Sequence, residues 1–314
     1  MVFKIVPKLP TIHLTGENVK PASGSSSWIS TCKNIRQALE DFGCFVAIYD
    51  KVPLDLHNQV FGVIQPMFEL PTEVKARNTS NIPYHGYYKP GPVMPLLDSF
   101  GIEDATILDK TQSFTDLLWP NGNQKFCETV HEYAKQASEL ENMVTRMVFE
   151  SYGAEKYLDS HLNSATYLLR IAKYRVPEKN EGPLGGVAHT DKNFITVLHQ
   201  NDVDGLEVQT KDGHWISYEA SRNSFVVMAG ELFLAWSNSR IHAPLHRVIM
   251  KGNKPRYSLA LFSRSKDTIE TPKELVDDEH PLLFKPFDYM GLLKFYTEDV
   301  SRMAFCTIKD YCGV

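Results

Sequence analysis

The sequence predicts a mixed α and β protein with a double-stranded β-helix, or jelly-roll, core flanked by helices that come mostly from its N-terminal half. Two observations predict it. Apolar residues recur at helical spacing in three stretches before residue 153, and from about Tyr167 the chain turns into short strand-forming segments roughly 8 to 14 residues apart, the rhythm of a sandwich or barrel. At 314 residues, 43% hydrophobic and 23% charged, the chain has enough apolar surface for a sizeable core and no disorder-like bias. A single domain over 1–314 is expected, with a mainly helical region at 1–165, the jelly-roll core at 166–266 and a loop with one more short helix at 267–314.

Taken in order, "PTIHL" (10–14) reads as a first strand and "PASGSSSW" (21–28) as a Gly/Ser loop leading into a helix. In "CKNIRQALEDFG" the residues Ile35, Ala38, Leu39 and Phe42 keep helical period, and Gly43 stands where a left-handed cap belongs. "CFVAIY" (44–49) is a continuous apolar run of strand formers, which predicts a fully buried strand. Leu56, Val60, Val63, Ile64, Met67 and Phe68 define a second helix that Pro71 ends. Residues 81–120 mix proline, glycine and aromatics without a sustained period, which predicts loops with some hairpin. A long helix follows from about Asn123 to Tyr152, its stripe of Phe126, Val130, Tyr133, Ala137, Leu140, Val144, Met147 and Val148 being core packing. The eight core segments are "YLLRIAKYRV", "FITVLHQ", "GLEVQT", "HWISY", "SFVVMAG", "FLAWSN", "HRVIM" and "YSLALFS", with "KDG" as a hairpin turn.

Composition excludes several roles. Thirty-three basic against 38 acidic residues, a formal charge of −5, leave no electrostatic footprint for nucleic acid or an anionic membrane. The five cysteines are an odd number with no CxxC pair, which argues against a disulfide framework or a thiolate zinc site and fits a reducing, cytoplasmic setting. No signal peptide, membrane helix or prenylation box is read in the chain, and a monomer is expected.

"AHTDKNF" (188–194) holds His189 and Asp191 two positions apart, so that on a strand both would face the same way and offer an imidazole nitrogen and a carboxylate oxygen to one ion. An HxD pair alone is weak evidence. His246 in "APLHRVIM" is the best third ligand, because a jelly roll can fold a strand 55 residues after Asp191 (246 − 191) back beside the first. Two histidines and a carboxylate on one face of a metal are the arrangement of non-haem Fe(II) oxygenases, although three protein ligands plus water equally describe a catalytic zinc. Arg256 and Ser258 in "KPRYSLALF" decide between them: both would point inward from one strand, and a buried guanidinium needs an anion, here the distal carboxylate of 2-oxoglutarate. Tyr174 could add a phenolic hydrogen bond. His199, His214, His242 and His280 have no such company and are read as structural.

With these residues in place, the chain resembles the plant 2-oxoglutarate and Fe(II)-dependent dioxygenases over nearly its whole length. "LPTIHL", "ALEDFGCFVAIY" and "MFELPTEVK" are similar to the family's opening elements, and "HTDKNFITVL", "GLEVQTKDGHWI", "WSNSRIHAPLHRV" and "RYSLALF" to its core. The length and the tail look most like the short branch with deoxypodophyllotoxin synthase and the side-chain-modifying glucosinolate oxygenases. The resemblance implies His189, Asp191 and His246 as catalytic iron ligands, and Arg256, Ser258 and Tyr174 as 2-oxoglutarate contacts. It also implies O2 as the oxidant, ascorbate as an aid in vitro, and Phe262 as an aromatic lining the substrate pocket. Phe114, Leu117 and Tyr84 are further candidates for substrate contact. Ala172 departs from the asparagine that many relatives carry two residues before the tyrosine. The expected reaction is oxidation of a hydrophobic small molecule of plant specialised metabolism. Hydroxylation is the default outcome, with desaturation, ring closure or demethylation as variants. The competing readings are a gibberellin-type hormone oxidase, a zinc hydrolase and a jelly-roll binding module without chemistry.

Overall fold

The structure, a computed structural model, describes residues 8–16, 25–298 and 307–314. Strand β1 (Thr11–Leu14) pairs in parallel with β2 (Cys44–Tyr49), and helix α1 (Ser26–Asp41) connects them. Of the Gly/Ser loop expected at 21–28, residues 21–24 lie outside the described residues, and the helix has already begun at Ser26. Ser25 caps it by accepting the backbone N–H of Trp28 at 3.2 Å. Gly43 ends it as expected: its φ is +71°, and an added Cβ would lie 2.4 Å from the carbonyl oxygen of His242, so neither the conformation nor the space admits a side chain.

Helix α2 (Leu54–Ile64) tightens into a 3-10 segment (Gln65–Glu69), then a short α3 (Thr72–Lys75) leads to β3 (Leu97–Glu103). Part of the stretch read as loop is a helix, α4 (Leu108–Leu118). Thr111, Phe114, Thr115 and Leu118 form its buried face; the Thr111 and Thr115 hydroxyls are satisfied by the carbonyls of Ala105 and Thr111, so threonine stands in for apolar residues and hides the period. Helix α5 (Gln124–Ser151) runs as expected, and α6 (Leu158–Ser164) follows.

The core strands are β4 (Ala165–Tyr174), β5 (Leu184–His189), β6 (Ile195–Gln200), β7 (Leu206–Gln209), β8 (Trp215–Ser217), β9 (Ser224–Ala229), β10 (His246–Ile249) and β11 (Arg256–Ser265). "FLAWSN", expected to be a strand, is instead part of helix α7 (Glu231–Trp236), since a short apolar run fits either period. Two helical pieces rather than one close the described chain, α8 (Tyr289–Thr297) and a last turn at Ile308–Cys312.

Seven strands form one sheet in the order β1-β2-β9-β6-β11-β4-β3, and four form a second, β5-β10-β7-β8. This is the jelly roll. Alternation along β11 shows how the seven-stranded sheet serves two cores. Tyr257, Leu259 and Leu261 join Tyr133, Ala137 and Val144 of α5 in the core beneath the helices. Ala260 and Phe262 face the other way, toward Leu206, Val208 and Ile216 of the second sheet. That inner space is apolar over β2 and β9, where Val46, Val226 and Met228 lie. Toward β11, β4 and β3 its rows become polar, with Gln200, Ser258, Arg256, Arg170 and Ser99, and the candidate site lies there.

Candidate active site

His189 ends β5 and His246 begins β10, and the two are directly paired across the antiparallel ladder. Their rings lie 4.3 Å apart between centroids. Each Nδ1 meets a backbone carbonyl, Val187 at 2.8 Å and Pro244 at 3.2 Å. With Nδ1–H as the donor, both Nε2 lone pairs are left to face Asp191 Oδ1, at 3.6 and 3.7 Å. One ligand atom from each residue lies within 4.8 Å of the others. Donors about 2.1 Å from a common ion sit roughly 3 to 4 Å apart, so the three residues fit a divalent metal with modest closure. Desolvation, then the neighbouring His246, lowers the His189 imidazole below its ordinary value, which favours the neutral, ligating form.

Asp191 is not on the strand, as the i, i+2 argument assumed; β5 stops at His189, and the aspartate stands in the loop beyond. That loop is fixed from behind. The backbone N–H of Glu231 donates to the Asp191 carbonyl at 2.8 Å, and that of Leu232 to Asn193 at 3.1 Å. The Glu231 carboxylate accepts from Thr190 and Lys192 on one oxygen, both at 2.6 Å, and from Tyr296 of α8 on the other at 2.9 Å. Gly230 permits this approach, since an added Cβ would sit 2.1 Å from the Asn193 carbonyl oxygen. Sequence reasoning missed Glu231 and Lys192; the acid and its partner are 39 positions apart, and only the fold pairs them.

On the opposing sheet Arg256 is 1% exposed, and among the described residues no carboxylate lies within ion-pair distance of it. Its Nη2 and Nε donate to Gln200 Oε1 at 2.7 and 3.2 Å, Nη1 to Ser258 Oγ at 3.4 Å, and its Cζ stands 5.0 Å from the centre of the Tyr174 ring. Gln200 is a member of this group that the sequence did not single out, and it lies opposite Ser258 on β6. Gly205 closes the pocket floor; a Cβ there would be 2.9 Å from Arg256 Cδ. A buried cation with only neutral partners is a place where an anion would be stabilised. Ala172 lies directly opposite Ser258 on β4, so on that side the serine has a methyl group beside it, and the amide beside it comes from Gln200 on β6.

The substrate candidates separate. Phe262 is on the inner face, between Leu168 of β4 and Thr196 of β6. Tyr84 is 53% exposed, in a left-handed conformation (φ 65°), at the rim. Phe114 is elsewhere. It packs on Phe100 and Phe126 in the core between α4, α5 and the outer face of the seven-stranded sheet, because the expected loop is a helix whose apolar side it occupies. Leu117, on the same helix, is removed from the inner face for the same reason. His199 is fully buried in the helix-side core, where its Nε2 meets His57 Nδ1 at 3.0 Å, a structural role as expected.

Comparison with known proteins agrees with this fold. The profile of the 2OG-Fe(II) oxygenase superfamily matches residues 165–265, and that of the N-terminal region of non-haem dioxygenases in morphine synthesis matches residues 9–95. The chain is 47% identical over 305 residues to the probable 2-oxoglutarate-dependent dioxygenase AOP1.2 of Arabidopsis thaliana, across 95% of this chain and 93% of that one. Among solved structures it is similar to the Arabidopsis thaliana dioxygenase for auxin oxidation 1 in its 2-oxoglutarate complex (TM-score 0.78, 31% identity, 87% of this chain and 99% of that one). It is likewise similar to the dioxygenase for auxin oxidation of rice (TM-score 0.79, 29% identity, 98% and 100%).

Proposed function

The chain belongs to the 2OG-Fe(II) oxygenase superfamily, as a 2-oxoglutarate-dependent dioxygenase, and from that premise we propose that His189, Asp191 and His246 hold its ferrous ion, that Arg256, Ser258 and Tyr174 hold 2-oxoglutarate, and that it oxidises a small molecule of plant specialised metabolism with a largely apolar body. The observation that carries the assignment is Arg256, a guanidinium 1% exposed whose described partners are all uncharged. A zinc hydrolase has no use for it, and a binding module has no use for the adjoining triad.

Bound iron and 2-oxoglutarate supply the oxidising chemistry, in which O2 and the keto acid are consumed, succinate and CO2 are released, and the substrate gains oxygen or loses hydrogen. The protein's residues do the rest. The backbone carbonyls of Val187 and Pro244 fix the tautomer of the two histidines. Asp191 is held by the loop that Glu231 anchors, and Arg256 with Ser258 sets the far end of the diacid. Phe262, Leu168 and Ala260 present an apolar wall that excludes water beside the metal side. Hydroxylation is the default outcome; small changes in substrate position against that wall would give desaturation, ring closure or demethylation.

Hormone oxidation is the second reading, supported by the two structural neighbours named as dioxygenases for auxin oxidation. Monomeric, cytoplasmic operation belongs to the proposal. Four free, buried cysteines among the described residues support the reducing compartment, and no helix among those residues is long and apolar enough to cross a membrane. The test is anaerobic titration with Fe(II) and then 2-oxoglutarate. A metal-to-ligand charge-transfer band that Asp191→Ala and Arg256→Gln both abolish is expected, and an undiminished band in either variant overturns the corresponding assignment. Succinate release driven by aromatic and terpenoid plant extracts, with mass analysis of the compound that shifts, then identifies the substrate.

A further inference from the structure

The guanidinium of Arg256 is committed along one edge and open at its end. Gln200, the last residue of β6 and 2% exposed, stands opposite Ser258 and receives both Nε and Nη2 of Arg256 on its carbonyl oxygen, at 3.2 and 2.7 Å. A guanidinium carries five N–H donors, so Nη1 and the outer hydrogen of Nη2 remain, the pair that fits a carboxylate end-on. The contact of Nη1 with Ser258 Oγ is long, at 3.4 Å, and leaves that end free to take a charged acceptor.

The amide that receives Arg256 is itself fixed. Its Nε2 donates to the carbonyl of Val203 at 3.0 Å, so Oε1 is the atom that faces the guanidinium; a flipped amide would set N–H against N–H. The chain just beyond is pinned to β11. The backbone N–H of Tyr257 donates to Asn201 Oδ1 at 3.0 Å, and Asn201 Nδ2 to the Pro255 carbonyl at 3.3 Å. Gly205 then brings the backbone onto the arginine stem, where an added Cβ would lie 2.9 Å from Cδ and 3.4 Å from Nε. With the Tyr174 ring 5.0 Å from Cζ, the side chain is held from three directions.

Holding it with an amide has a second effect. A glutamate of the same length would orient the guanidinium equally well, but it would also neutralise it. The acid nearest along this loop, Asp204, is turned instead to the backbone N–H of Ala220, at 2.8 Å. The charge of Arg256 is therefore aimed and still unpaired.

We propose that Gln200 is a positioning residue that selects the cosubstrate by length: it fixes Arg256 end-on, so that the gap between this guanidinium and the triad of His189, Asp191 and His246 admits a five-carbon 2-oxo diacid and disfavours its shorter and longer homologues. The inference rests on the metal and clamp assignment above and adds to it the residue that sets the reach of the clamp.

The probes are 2-oxoglutarate, its homologues oxaloacetate and 2-oxoadipate, and 2-oxopentanoate, which has the same five carbons without the second acid. Each is titrated anaerobically into protein loaded with Fe(II), and the charge-transfer band of the chelated 2-oxo acid reads its affinity. The wild type should bind 2-oxoglutarate about tenfold or more tighter than either homologue, and about 100-fold tighter than 2-oxopentanoate. Gln200→Met keeps the length and removes the acceptor, so the guanidinium swings to follow its ligand. Selectivity over the homologues should narrow to within about threefold, with Fe(II) affinity within twofold of wild type. Gln200→Glu supplies an internal carboxylate and should bring 2-oxoglutarate to within a few-fold of 2-oxopentanoate. A merely structural glutamine would weaken all four acids by one common factor. Should Gln200→Met not fold, Gly205→Ala pushes the arginine stem from the other side and should widen the length tolerance in the same way. Equal affinity of the wild type for the three diacids, unchanged ratios in the variants, or a Gln200→Glu protein that keeps the full preference for 2-oxoglutarate each overturns the proposal. Absence of any charge-transfer band from the wild type with Fe(II) and 2-oxoglutarate would instead overturn the site assignment beneath it.

Discussion

Thr196 Oγ1 donates a 2.6 Å hydrogen bond to Oδ2 of Asp191, leaving Oδ1 turned toward both histidines. The hydroxyl belongs to β6 of the seven-stranded sheet, whereas the histidines belong to the four-stranded one, so the ligand loop is oriented from the far side of the cavity. Thr196→Val keeps the shape and removes the donor from a buried carboxylate. Metal affinity, measured by anaerobic competition against a chromophoric chelator, should fall by about 10- to 100-fold with the fold intact. An unchanged affinity would show that the backbone alone aims Asp191.

Arg256→Gln should abolish tight 2-oxoglutarate binding, because a diacid cannot exchange a charge-assisted pair for an amide at this depth; a loss of roughly 2 to 5 kcal/mol is the scale for one member of a buried pair. Gly205→Val tests the same clamp indirectly. Its side chain would press on Arg256 Cδ, so the KM for 2-oxoglutarate should rise while that for Fe(II) stays put. Steady-state succinate assays read both.

Glu231 meets Lys192, Thr190 and Tyr296 with a side chain only 7% exposed. Glu231→Gln leaves Lys192 without its anion and should cost about 3 kcal/mol in urea unfolding. Iron affinity should fall with it, since the same residue anchors the Asp191 loop.

Phe262→Ala and Phe114→Ala should behave oppositely. The first should raise the KM for substrate, with a smaller loss of stability because Phe262 is only partly buried. The second empties a site in the helix-side core and should destabilise by about 3 to 5 kcal/mol without altering substrate selectivity per folded molecule.

Glu141 provides the pH test. Burial raises its carboxyl from 4.5 to about 7, against hydrogen bonds from Ser263, Thr145 and Tyr167 that pull the other way. The unfolded chain releases this proton near 4.5, whereas the folded protein keeps it up to about 7, so stability falls as pH rises through that window. Glu141→Gln stays neutral. Its advantage over wild type should be near zero below pH 4.5, grow through the window and level off above 7 at up to about 3 kcal/mol. A difference independent of pH would refute the assignment.

The triad and the clamp were legible in the sequence because their chemistry is written in residue types at strand spacing. A histidine and an acid, a later histidine, and an arginine two positions before a serine constrain each other even before a fold exists. The helical stretches at α1, α2 and α5 were legible from periodicity. What escaped was set by tertiary context. Threonines hid the buried face of α4 and sent Phe114 and Leu117 to the wrong layer, and "FLAWSN" was too short to declare its period. Glu231, Thr196, Gln200 and Arg170 are ordinary polar residues in the sequence, and only strand register shows which of them share a face.

The two halves of the proposed binding chemistry sit on different sheets: histidines on the four-stranded one, arginine and serine on the seven-stranded one. A molecule gripped at both ends is therefore a strut. Near β2 and β9 apolar packing already glues the layers, but along the polar margin such a strut would be the main tie between them. Loading the cavity should consequently stiffen β5 and β10 against amide exchange well beyond the residues it touches, so that the scaffold is completed by what it holds.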